Sequence, residues 1–314
     1  LQSRGLGDVY KRQIYNQEIK KGCTMKNKLK HLVPVLLALA TITVSLSACE
    51  LKPKAQQKVS KQGFYFDTII QITLYGTTDE KYIDGCFDMA KKYEDMLSNT
   101  VSYSEVSKIN DAAGKEYVTV SNDTLELIKK GIEYGNTSDG RFDITIGKLS
   151  DLWNFSEIAE NTDSKDNEVD ASVVPSDAQI QSELSHVNYR NIQINGNDVM
   201  LTDSKAKLDL GGIAKGFIAD KMKAYLQSKK ITSGIINLGG NVLTVGEKSD
   251  GSDYTVGIQK PFDESGEPIC TVQIKDKSVV TSGIYERYYR VDGKLYHHIP
   301  VSYTHLRAHE TAAN

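Results

Sequence analysis

Asp209-Leu-Gly-Gly-Ile-Ala-Lys-Gly-Phe-Ile-Ala-Asp220 constrains the fold more than any other stretch of the chain. A short apolar strand, Lys207 to Leu210, runs into a glycine pair, and an amphipathic helix is predicted to begin at Ile213. Gly211 and Gly212 let the backbone come close to a ligand and accept positive φ. The helix start behind them presents unpaired N–H groups and the positive end of a dipole, a seat for phosphate. Asp209 and Lys215 flank that seat with opposite charges. On its own the pattern is more often a tight turn whose glycines serve packing.

The two ends of the chain read as foreign. Ser3 to Gln13 matches one frame of a common transposon-tagging oligonucleotide, and Val301 to Thr311 matches a frame of its reverse complement. Residues 1–24 are therefore assigned to adaptor and untranslated leader and 300–314 to adaptor, with native coding expected to stop, cut short, near Ile299. Met25 opens a bacterial lipoprotein signal peptide over 25–48. Lys26, Lys28 and Lys30 form its basic region, and Leu32 to Val44 its apolar region, too short for a comfortable membrane span. Leu46-Ser-Ala-Cys49 is the lipobox, which makes Cys49 the expected lipidation site and places the mature protein on the extracytoplasmic face of the cell membrane. Residues 49–62, rich in Lys and Gln, are expected to be a flexible tether. A domain is expected over 63–299.

The net charge of -3 and the absence of a basic cluster exclude a nucleic-acid partner. Cys86 and Cys270 make neither a metal spacing nor a disulfide framework, and Cys86 falls on the apolar face of a predicted helix. Ile70, Ile72 and Leu74 alternate as a strand, whereas Ile83, Phe87, Ala90, Tyr93 and Leu97 keep helical spacing. A second helix carries Leu125, Ile128 and Ile132 behind a Ser121 or Asn122 cap. Ser156 to Glu183, acidic and polar, reads as a surface insertion or mobile flap. Asn195-Gly196 predicts a hairpin, Ile235 to Leu238 a strand meeting Gly239-Gly240, and Asp292-Gly293 a turn. Strands and helices without strict βαβ alternation give an α+β fold of mixed sheets with packed helices.

Four segments then coincide: Phe66-Asp-Thr68; Ser138-Asp-Gly-Arg-Phe-Asp-Ile-Thr-Ile-Gly147 with Leu152-Trp153; Asp209 to Asp220 with Asn237-Leu-Gly-Gly-Asn241; and Thr281-Ser-Gly-Ile-Tyr285 with Tyr296-His-His-Ile299. In this order they resemble the ApbE family of FAD:protein FMN transferases over nearly all of Phe64 to Ile299. The resemblance implies an ApbE-like fold with FAD as substrate, its isoalloxazine and ribityl groups near Phe66, Arg141, Phe142 and Asp143, and nucleotide contacts from Asp209 and Lys215. It implies Mg2+ as cofactor, with the Gly212 carbonyl as a metal ligand and the remaining family ligands falling after Ile299. The usual Met-Gly-Thr opening is Phe66-Asp67-Thr68 in this chain, which alters the contact at position 66.

The reaction implied is attack by a Thr or Ser hydroxyl of an acceptor protein on the FMN-side phosphorus of FAD, with AMP leaving. The implied acceptors are extracytoplasmic subunits of redox complexes of the RNF or NQR type. His297 and His298 are strand neighbours and point to opposite faces, and family alignment favours His298 as proton acceptor. Without the C-terminal ligands, weak Mg2+ binding and slow transfer are expected. Two alternatives share motifs or topology signals: an FAD pyrophosphatase or flavin-binding lipoprotein, and a transporter's solute-binding lipoprotein, which predicts two Rossmann-like lobes.

Overall fold

A computed structural model describes residues 57–299 apart from 161, 163–166 and 264–265. The ends expected to be foreign, the expected signal peptide, Cys49 and most of the expected tether lie outside the described residues. Strands β1 (Lys58–Tyr65) and β2 (Thr68–Tyr75) form a hairpin, followed by helices α1 (Lys81–Leu97) and α2 (Glu105–Asp111), strand β3 (Val118–Thr119) and helix α3 (Asn122–Thr137). Helices α4 (Gly147–Trp153), α5 (Phe155–Glu160) and α6 (Asp177–Leu184) precede the hairpin β4 (Ile192–Asn195) and β5 (Asp198–Leu201) and the long helix α7 (Gly211–Ser228). Strands β6 (Ser233–Leu238), β7 (Asn241–Gly246), β8 (Tyr254–Gln259), β9 (Pro268–Ile274), β10 (Ser278–Val280), β11 (Tyr288–Val291) and β12 (Lys294–His297) complete the described chain.

The main sheet has five strands in the order β1-β2-β6-β7-β10, and every neighbouring pair is antiparallel. Its strand alternation sends Ile70, Ile72 and Leu74 of β2 and Ile236, Leu238, Leu243 and Val245 of β6 and β7 into one core. The apolar stripes of α1 (Ile83, Cys86, Ala90, Tyr93, Leu97) and α7 (Ile218, Met222, Leu226) close over that face. Each large side chain fully buried there contributes about 1.5–3 kcal/mol. Cys86 is buried as expected, and burial pushes its thiol up to about 12, whereas Cys270 is exposed. Ser121 caps α3, accepting the Thr124 N–H at 3.3 Å. Helices beside antiparallel sheets confirm the α+β class; the two Rossmann-like lobes of a solute-binding protein are not what the described residues form.

Two expectations need correction. The tether expected to reach Gln62 gives way to β1 at Lys58, because an edge strand buries only one face and Val59 suffices to seat its start. Ser156 to Glu183 is more than a loop: α5, a 3-10 turn at Ala171–Val173 and α6 occupy it, and Ile180 is buried. With Leu149, Trp153, Phe155, Tyr289 and Val291 it makes a second core, and the Val169 N–H donates to the Arg290 carbonyl at 2.9 Å. Trp153 is thus core, stacked on Phe155 with ring centroids 5.5 Å apart.

Candidate active site

Backbone pairing brings the two motif segments together. Ile146 and Lys207 form a parallel bridge, the Asp209 N–H donates to the Ile144 carbonyl at 2.8 Å, and the Gly147 N–H donates to the Lys207 carbonyl at 2.9 Å. Residues 207–209 therefore carry a single bridge, at Lys207, rather than forming a strand, and Leu210 already turns into the helix. Asn110 pins it from the other side, donating to the Leu208 carbonyl at 3.1 Å and accepting the Leu208 N–H at 2.7 Å. The helix begins at Gly211, two residues earlier than predicted, and neither Gly211 nor Gly212 has positive φ. Space explains Gly212: a Cβ there would lie 3.1 Å from the Phe142 ring. Asp209 Oδ1 accepts the Gly211 N–H at 2.8 Å, so its carboxylate sits at the positive end of α7.

Gly212, Lys215 and Gly216 share one face of α7 by their spacing. Burial first, then the neighbouring Arg287 charge, holds the Lys215 amine below its ordinary pKa of 10.5, and Glu286 opposes them. His298 lies in the same field. Burial lowers its pKa from 6.5, the hydrogen bond to the Arg287 carbonyl raises it, and the charges of Arg287, His297 and Lys215 lower it further. His298 Nδ1 stands 3.2 Å from the Arg287 carbonyl oxygen. A carbonyl only accepts, so Nδ1 carries the proton and Nε2 of the neutral ring keeps its lone pair. His297, by contrast, is buried. His298 stands just past the end of β12 and feels the charge of Lys215.

Two hairpin turns close the same end of the main sheet, where Ile70 of β2 pairs with Leu238 of β6. Gly239-Gly240 joins β6 to β7, and Phe66-Asp67 joins β1 to β2. Phe66-Asp67 therefore leads directly into the strand of Ile70, Ile72 and Leu74, with β1 on its other side. Both of its residues have positive φ, 56° and 53°. Glu94 Oε1 accepts the Phe66 N–H at 2.8 Å, and Arg287 Nη2 donates to the Asp67 carbonyl at 3.2 Å. The Gly239 turn abuts Thr68, and a Cβ at Gly240 would meet the Thr281 carbonyl oxygen at 3.7 Å. Asn241, beside Gly216, is buried at the start of β7.

Of the residues expected at the site, Asp209, Gly212, Lys215, Phe142 and His298 lie on elements that meet around the start of α7. Phe66 joins them through the Asp67–Arg287 contact. Arg141 is exposed on the turn that carries Phe142. Asp143 differs from expectation. Its Oδ1 accepts the Thr145 N–H at 2.8 Å and the Thr145 hydroxyl at 2.6 Å, and its Oδ2 accepts the Tyr189 N–H at 2.8 Å. Buried, with both oxygens engaged, its carboxylate shapes the loop that presents Phe142. Ser138 does the same for the turn, accepting the Phe142 N–H at 2.9 Å. Arg287 and Glu94 had no assigned role in the sequence reading. Arg287 stood inside the Ser-Gly-x-Tyr-x-Arg-Tyr pattern, but its partner is a backbone carbonyl, which leaves no residue signature.

The metal expectation put the remaining ligands after Ile299, outside the described residues. Among the described residues no group of three His, Cys, Asp or Glu side chains gathers anywhere. Gly212 lies in the first turn of α7, where a carbonyl points along the axis toward the amide four residues on. The open end of the helix offers N–H groups, which suit an anion. The described residues do not fit a protein-built Mg2+ cage.

The model of the ApbE family matches residues 66–310 of the chain. A protein of Klebsiella pneumoniae (strain 342) named FAD:protein FMN transferase is 36% identical over 232 residues, 73% of this chain and 67% of that protein. One of the same name from Treponema pallidum (strain Nichols) is 26% identical over 290 residues, 86% of this chain and 76% of its own length. Among solved structures, the ApbE protein of Thermotoga maritima superposes with a TM-score of 0.70 at 31% identity, covering 80% of this chain and 79% of that one. The flavin transferase ApbE of Vibrio cholerae gives 0.64 at 27% identity, covering 79% and 77%.

Proposed function

This chain belongs to the ApbE family, and from that premise we propose that it moves the FMN portion of FAD onto a Thr or Ser hydroxyl of an acceptor protein, releasing AMP. One observation supports the reading above others. Lys215 and His298, far apart in sequence, both stand in the electrostatic field of Arg287, and the Arg287 carbonyl engages His298 Nδ1 so that Nε2 is left as a base.

The chemistry follows from those groups. The diphosphate of FAD is an anion, and the α7 amides with Lys215 neutralise it. The hydroxyl oxygen of the acceptor bonds to the FMN-side phosphorus while the bond from that phosphorus to the bridging oxygen breaks. The bridging oxygen leaves on AMP, and the hydroxyl proton passes to His298 Nε2. Phe66 and Phe142 supply aromatic surface for the isoalloxazine. Mg2+ enters the reading as a companion of the diphosphate, since the described side chains build no cage for it. The acceptors are extracytoplasmic subunits of redox complexes of the RNF or NQR type, and a lipid on Cys49 holds the enzyme at that face of the membrane.

Incubation with FAD, Mg2+ and a Thr-bearing acceptor protein tests the reading. In-gel flavin fluorescence on the acceptor, with stoichiometric AMP, supports it. AMP and free FMN without labelled protein makes the enzyme a pyrophosphatase, and unchanged FAD makes it a flavin binder. Because His298 is held below its usual pKa, its base form persists into mild acid. The acid limb of the rate profile is therefore expected below pH 6.5, and a limb above that value removes His298 as the base.

A further inference from the structure

Arg287 touches two parts of the site that the sequence keeps far apart. Its guanidinium donates from Nη2 to the Asp67 carbonyl at 3.2 Å, across to the β1–β2 turn. Its own carbonyl accepts the His298 N–H at 3.1 Å and faces His298 Nδ1 at 3.2 Å. We propose that Arg287 is a positioning residue: by gripping the Phe66-Asp67 turn, its side chain holds in place the peptide whose carbonyl selects the Nδ1–H form of His298. The task of that imidazole rests on the flavin-transfer reading; the tie between turn and ring rests on geometry alone.

The local structure explains why the grip matters. Residues 281–287 connect β10 to β11 without regular structure, held internally by one short turn from the Glu286 N–H to the Gly283 carbonyl at 3.1 Å. Such a segment moves readily unless side chains tie it down. The guanidinium ties it to the rigid end of the main sheet, where Glu94 already secures the Phe66 N–H. A displacement of the Arg287 carbonyl by about 1 Å would break the bond to Nδ1, and displacements of that size cost of the order of a hundredfold in rate when they misplace a reacting group. The planar fork of Arg reaches a carbonyl from a fixed angle, whereas the ammonium of Lys is a mobile point charge. Charge and geometry can therefore be separated by one substitution.

Arg287→Lys keeps the cation and removes the fork. In the full chain, 15N NMR of the histidine rings above pH 6.5 is expected to show His298 as the Nδ1–H tautomer. In Arg287→Lys the expected signal is a mixture of tautomers, with single-turnover FMN transfer down about tenfold or more and the FAD Kd within about threefold of the parent. Arg287→Met, which also removes the charge, is expected to show the same tautomer mixture. Retention of Nδ1–H in both variants overturns the proposal. So does a loss of FAD affinity in Arg287→Lys that accounts for the whole loss of rate, because Arg287 would then act as a ligand contact. If the parent transfers no FMN, the tautomer comparison still decides the positioning role, while the flavin-transfer reading fails separately.

Discussion

Two hairpin turns stand side by side at the end of the main sheet, and they are built on opposite principles. Both are two-residue turns whose central residues have positive φ, the geometry of type I′ hairpins. Gly239-Gly240 reaches it with residues that meet no steric penalty. Phe66-Asp67 reaches it with two residues that carry Cβ atoms, each against the preference of L-amino acids. The first turn needs no outside help beyond Asn237, whose side-chain oxygen accepts the Gly240 N–H at 3.0 Å. The second is held from two sides, by Glu94 on its first N–H and by Arg287 on its second carbonyl. The glycine turn lets Thr68 approach closely. The strained turn places an aromatic side chain at the site and couples its backbone, through Arg287, to His298.

Exchanging the properties of the two turns puts that contrast to the test. The largest effect is expected at Gly239. A Cβ there would fall 2.4 Å from the Thr68 hydroxyl oxygen, at φ +58°. Gly239→Ala should cost about 3 kcal/mol in denaturant unfolding, and Thr68→Ala in the same chain should recover part of it. Full tolerance of Gly239→Ala would mean that the turn is looser than its geometry. Next comes Glu94→Ala, which strands the Phe66 N–H and should cost about 2 kcal/mol, with slowed FMN transfer. An unchanged rate would separate the strain of the turn from function. The smallest effect has the opposite sign. Asp67→Gly gives the second turn the residue its geometry favours and should stabilise the fold by about 0.5 kcal/mol, read as a raised denaturation midpoint. Destabilisation would show that the Asp67 side chain contributes more than its backbone strain removes.

Most of the architecture was legible in the sequence, and the exceptions have physical causes. The helical spacing of Ile83 to Leu97, the Ser121 cap and the Asp292-Gly293 turn read directly because each depends on a local pattern. The Asn195-Gly196 signal located the β4–β5 hairpin, although the turn pivots on Gly196-Asn197, since Asn195 still pairs with Asp198. Strand β1 was hidden because its outward residues are Lys, Ser and Gln, the composition of a tether. The partners of Asp143 are invisible in a Phe-Asp-x-Thr pattern: a carboxylate that binds a ligand and one that organises Thr145 and Tyr189 look the same in one dimension. Arg287 and Glu94 escaped for a related reason, since both hold main-chain atoms. Lys215 and His298 were named together only through family resemblance, and spacing alone would not have linked them.

His298 follows directly on β12, whose hairpin with β11 is embedded in the aromatic stack of Trp153, Phe155, Tyr289 and Tyr296. Lys215 and the amides of α7 belong to the other core, under the main sheet. The proposed proton acceptor and the proposed phosphate grip are thus mounted on separate foundations, spanned by the Arg287 strut. Loosening the aromatic foundation would let the enzyme hold its dinucleotide as firmly as before while the imidazole lost its aim, so affinity and turnover can drift apart under selection.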